Sequence, residues 1–97
     1  MATFITLITF TPQGAEAIEH TVDRAAAFEK MAAQHGGKIR DLFWTLGGYD
    51  GAIIFDAPDA EAATAIELSL VRKGNVHTKT MQAFDRTQMS AVLGKLS

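Results

Sequence analysis

Leu46-Gly47-Gly48-Tyr49-Asp50-Gly51 does most to limit what this chain can become. Three glycines, a tyrosine and an aspartate separate two β-like runs, Lys38 to Thr45 and Ala52 to Phe55. Glycine reaches positive φ without a Cβ clash and aspartate tolerates a left-handed turn, so the stretch reads as the turn of a β-hairpin. A hairpin in mid-chain leaves one strand and helix before it and one helix and strand after it.

The flanking segments fit that frame. Thr3 to Thr11 is a first strand with Phe4, Ile8 and Phe10 on one face and Ile5 and Leu7 on the other. Apolar groups on both faces mark a central strand. Thr11-Pro12-Gln13-Gly14 breaks it, and a helical region runs to about Gln34 with Ile18, Val22, Ala25, Phe28 and Ala32 near one stripe. Thr21 is placed to cap its main part, with Ala15 to His20 as a separate first turn. Gly36-Gly37 is the stop. Ala52 to Asp56 is apolar on both faces and also reads as central. Pro58-Asp59 opens a helix with inner residues Ala63, Ile66 and Leu70, which Gly74 ends. Asn75 to Phe84 is a more polar strand suited to a sheet edge, where Lys79 discourages further pairing. Asp85-x-x-Gln88 resembles a capping box, and Met89, Val92, Leu93 and Leu96 form the stripe of a last helix. The expectation is a single α+β domain over residues 1–97: a ferredoxin-like βαββαβ fold with a four-stranded antiparallel sheet, order 4-1-3-2, and an extra C-terminal helix.

Composition removes several classes. The net charge of −2 argues against non-specific polyanion binding. The absence of cysteine removes disulfides, thiolate chemistry and Cys-rich zinc sites. No basic region precedes a long apolar run, and no apolar stretch approaches a membrane span, so a cytoplasmic domain without membrane contact is expected.

Both main helices of such a fold lie on one face of the sheet. With Ile5 and Leu7 beneath the helices, Phe4, Ile8 and Phe10 remain on a bare face of several hundred Å², more than monomers usually expose. A second copy, sheet against sheet, is the expected cover, because one short terminal helix covers four strands poorly. The two sets are interchangeable in this argument, since each is apolar.

Gly48-Tyr49-Asp50 resembles the signature of the GYD-domain family. Gly36-Gly37-Lys38, Asp56-Ala57-Pro58-Asp59 and Gly74-Asn75-Val76-His77-Thr78 are similar to its other landmarks, in order and over most of the chain. The resemblance implies a ferredoxin-like domain of the dimeric α/β-barrel kind and implies no particular activity. Relatives by fold include cofactor-free monooxygenases, isomerases and ligand-sensing domains, and fold alone does not choose among them.

Four residues are candidates for a ligand site: Tyr49, Asp50, His77 and Trp44. Tyr49 and Asp50 offer a phenol and a carboxylate at a pocket mouth; the plainer reading is an Asx turn with a ring packed over it. His77 lies on the last strand with Lys79 and Met81, and an ordinary edge histidine is its plainer reading. Trp44 is the sole tryptophan, suited to a pocket wall or an interface anchor as well as to sheet packing. The three histidines lack metal-ligand spacing, so no metal and no cofactor are expected. Ser69, Ser90 and Ser97 lack a nucleophile-elbow context. RNA-recognition modules share the element order, but Gly48 to Phe55 lacks their basic residue, and Ala52 and Ile53 stand where a stacking aromatic is needed. The expected function is an oligomeric small-molecule-binding domain. The alternatives are a cofactor-independent oxygenase or isomerase acting on a small apolar substrate, or a purely structural assembly module. The enzyme alternative requires a closed pocket of about 300 Å³ or more with converging polar groups.

Overall fold

The computed structural model describes residues 1–97. Four strands, β1 (Ala2–Phe10), β2 (Lys38–Trp44), β3 (Gly51–Ala57) and β4 (Val76–Ala83), form one antiparallel sheet in the order β2-β3-β1-β4. This is the expected order read from the other edge, and the two strands apolar on both faces are the central pair. The helices are α1 (Pro12–Glu16), α2 (Thr21–Gln34), α3 (Ala60–Val71) and α4 (Arg86–Leu93), with a 3₁₀ turn at Ile18–His20.

One face of the sheet meets α2 and α3. Phe4, Thr6 and Ile8 of β1 and Ile53, Phe55 and Ala57 of β3 are buried there against Phe28, Ala32, Ala63 and Ile66. The rings of Phe4 and Phe55 stack at 5.5 Å, and the buried Thr6 hydroxyl is satisfied by that of Thr80 at 2.9 Å. This reverses the expected assignment of faces. Phe4 and Ile8 lie under the helices with Phe10 packed against them, so the second-copy surface expected from Phe4, Ile8 and Phe10 is not available. Ile5 and Leu7 point to the bare side. The larger aromatic set fills the layer that two helices must span, and the smaller set is left outside.

The start of α2 also differs from expectation. Thr11, not Thr21, supplies a helix cap: its hydroxyl accepts from Gly14 N–H at 3.1 Å and opens α1. The helix then breaks at the 3₁₀ turn and restarts at Thr21, where the cap residue is His20 and makes no side-chain bond. The break leaves Ile18 exposed, and Val22, about 120° round α2 from buried Phe28, is 65% exposed. Gly14 is required by close approach, because a Cβ there would lie 2.0 Å from Asn75 O. Asp59 and Asp85 cap α3 and α4, the latter in a complete capping box with Gln88. No helix is long and apolar enough to cross a membrane.

The terminal helix does not cover the sheet. Met89, Val92, Leu93 and Leu96 are exposed, Leu93 by 53%. The molecule measures 51 × 31 × 19 Å with a radius of gyration of 14.6 Å, against about 12.5 Å for a globular chain of this length. The thickness is that of one sheet and one helix layer.

Candidate functional site

The hairpin turn places its two polar residues on opposite sides of the sheet. Successive residues along an extended chain alternate faces, and Tyr49 and Asp50 follow that rule. Asp50 turns toward the helix side, where its Oδ2 accepts the Phe10 N–H at 2.8 Å. Its own N–H donates to Ile8 O at 2.8 Å, and its carbonyl accepts from Thr45 N–H at 3.0 Å. β1 runs past the end of β3, which stops at Gly51 opposite Ile8. The carboxylate therefore supplies the acceptor that a further strand residue would have offered to Phe10. The Thr45 hydroxyl closes the turn on Tyr49 O at 2.6 Å.

Trp44 shares the helix side with Asp50. Its indole Nε1 donates to Thr21 Oγ1 at 3.0 Å, tying the end of β2 to the start of α2. Between them lies a half-open, largely apolar cavity of about 130 Å³, lined by Phe10, Phe28, Met31, Leu42 and Trp44 among others. Arg24, Lys73, Asn75 and Asp50 bring its polar groups. Arg24 is held by donating to Ala17 O at 2.9 Å and Gly14 O at 3.2 Å. Apart from Trp44 and Asp50, these cavity residues were absent from the sequence-derived candidates. Arg24 was detectable in principle, because it stands four residues before buried Phe28 and so carries a cation toward the core stripe of α2.

Tyr49 and His77 come together on the other side. With Leu7, Thr9, Gly48, Thr78 and Lys79 they line a half-open depression of about 230 Å³ on the bare sheet face. Lys79 Nζ stands 5.8 Å from the Tyr49 ring centroid, a cation–π distance. The four candidates thus form two pairs on two faces, Trp44 with Asp50 and Tyr49 with His77.

The depression adjoins an apolar band. Strand register aligns Ile5 with Ile54 and Met81, and Leu7 with Ala52 and Lys79, while Phe43 lies opposite Ala52. Phe43 is 55% and Met81 47% exposed. Polar groups bound the far end, where Asp56 accepts from Thr3 Oγ1 at 2.7 Å and stands 3.7 Å from Arg40.

The GYD domain family model matches residues 4–93. The chain is similar to a Thermus thermophilus protein named "Glutamine synthetase and cystathionine beta-lyase binding protein", with 30% identity over 94 residues, 96% of this chain and 99% of the relative. Two solved structures resemble it in fold. FFRP-DM1 has a TM-score of 0.60 at 17% identity, covering 87% of this chain and all of that one. TTHA0845 of Thermus thermophilus has a TM-score of 0.56 at 20% identity, covering 88% and 95%. With the Gly48-Tyr49-Asp50 turn at its centre and the family match spanning nearly its whole length, the chain belongs to the GYD domain family.

Proposed function

We propose that this chain is a non-catalytic binding protein that works as a homo-oligomer of the dimeric α/β-barrel kind. In this reading a ferredoxin-like domain has its bare sheet face covered by a second copy, and its helix–sheet cavity takes a small molecule. The bare face carries the reading. Ile5, Leu7, Ile54, Phe43 and Met81 make an apolar band with polar ends, and α4 leaves it uncovered. Apolar core with polar rim is the composition of a protein interface, and one copy of a face meeting the same face of another gives a closed two-fold dimer.

The Thermus thermophilus relative is named for binding two enzymes, which supports a role in protein binding for this chain. Its exposed α4 stripe offers a partner a surface that sheet pairing does not use. The cavity supports the small-molecule part. The oxygenase or isomerase alternative has less support, because the four candidate side chains divide between two faces. The cavity is also half-open and smaller than the closed pocket of about 300 Å³ that the enzyme alternative requires. A purely structural module leaves the cavity without a role. Sedimentation of the wild type across a micromolar dilution series tests the reading. A species of at least twice the 10.5 kDa chain mass is expected, and a monomer at every concentration contradicts it.

A further inference from the structure

We infer that the cavity between α2 and the sheet binds a small amphiphilic monocarboxylate, a molecule with one ring or a short alkyl chain and a single carboxylate at the mouth. This rests on the small-molecule part of the proposed function and names the class of ligand. Size sets the apolar part. An apolar cavity of about 150 Å³ stays dry and takes benzene. A volume of about 130 Å³ therefore suits one ring or a chain of about six carbons. The walls of Phe10, Phe28, Met31, Leu42 and Trp44 offer such a body dispersion contact and no hydrogen bond except at the rim.

Charge sets the head group. Two cations, Arg24 and Lys73, line the cavity, and neither is paired with a carboxylate. Arg24 donates to Ala17 O and Gly14 O through its two terminal nitrogens, and further N–H groups of its fork remain for a ligand. Against these two cations stands one carboxylate, Asp50, whose Oδ2 accepts the Phe10 N–H. The Thr21 hydroxyl accepts from Trp44, and the Asn75 side-chain oxygen accepts from Gln13 Nε2. The surplus at the mouth is therefore of donors and positive charge, which an anion complements. The same surplus disfavours an ammonium ligand.

The chain carries its own reporter. Trp44 is the only tryptophan and lines the cavity, so a ligand there changes its emission, and saturation-transfer NMR detects weak binding independently. The probes are hexanoate, hexan-1-ol and hexylamine, titrated against the wild type, Lys73→Gln and Ala25→Leu. Lys73 is exposed and Ala25 lines the cavity; far-UV circular dichroism checks that each variant folds. If Ala25→Leu misfolds, Met31→Phe serves as the second filling variant. Hexanoate is expected to bind about tenfold or more tightly than hexan-1-ol, in keeping with a charge-assisted hydrogen bond. Lys73→Gln is expected to remove most of that preference, and the filling variant to abolish binding of both probes. Equal binding of acid and alcohol, both lost on filling, overturns the carboxylate assignment and leaves the cavity as a small-molecule site. Tightest binding of hexylamine overturns it in favour of Asp50. Binding of no probe in either measurement overturns the carboxylate assignment together with the small-molecule reading.

Discussion

Asp50 belongs to the family's central turn, and its carboxylate is occupied in holding that turn to β1. The acceptor it gives Phe10 N–H replaces a strand residue that the hairpin does not supply. Asp50→Ala leaves that amide without its partner, and a loss of about 1–3 kcal/mol is expected in urea unfolding. Asp50→Asn keeps an oxygen in place and is expected to lose less; equal stability of all three proteins would remove the latch role. Gly14 is a second such residue. Gly14→Ala sets a Cβ against Asn75 O, and the resulting overpacking is expected to cost about 1–3 kcal/mol, read as a lowered thermal midpoint. Part of the site could be read from residue types alone. Tyr49, Asp50, His77 and Trp44 each lie at a concavity, but their division into two pairs depends on side-chain direction. Neighbours in an extended segment point apart, so Tyr49 and Asp50 separate even though adjacency suggested a joint role. Lys73 and Asn75 escaped notice because only the return of the chain from α3 into β4 brings them beside β1.

In α2 the helical period decides which apolar residues reach the sheet. Val22 and Phe28 read from sequence as near one stripe, yet the six-residue step between them turns the helix by about 600°, which leaves Val22 about 120° round α2 from Phe28, with Phe28 buried and Val22 in solvent. Phe28→Ala is accordingly expected to cost about 3–5 kcal/mol, and Val22→Lys to stay within about 0.5 kcal/mol of wild type. Urea unfolding of the two variants decides it, and a large loss in Val22→Lys would mean that the stripe reading from sequence was right after all. Strand order was legible because β1 and β3 are apolar on both faces while β2 and β4 are more polar. The choice of covered face was not legible, because Phe4 and Ile8 compete with Ile5 and Leu7 on equal terms. Packing with other elements settles it: Phe55 stacks on Phe4, and Thr80 satisfies the buried Thr6 hydroxyl. Neither partner can be assigned from β1 alone.

The whole molecule is a two-layer plate with one bare apolar face and an uncommitted terminal helix. In the proposed homo-oligomer a second copy covers the face carrying Ile5, Leu7 and Ile54. The swap of faces changes which substitution tests this. Ile8 is in the core, so Ile8→Asp is expected to unfold the chain rather than divide an assembly. Leu7 points out beside Lys79 and Ala52, so Leu7→Asp places a carboxylate in the interface without disturbing the core beneath α2 and α3. The most direct measurement is the light-scattering mass of wild type and Leu7→Asp, each at micromolar concentration and each with circular dichroism to show that it is folded. The expected result is a wild type of at least twice 10.5 kDa and a folded Leu7→Asp variant at the single-chain mass. A wild type at the single-chain mass, or a folded variant that keeps the full mass of the assembly, would contradict the claim.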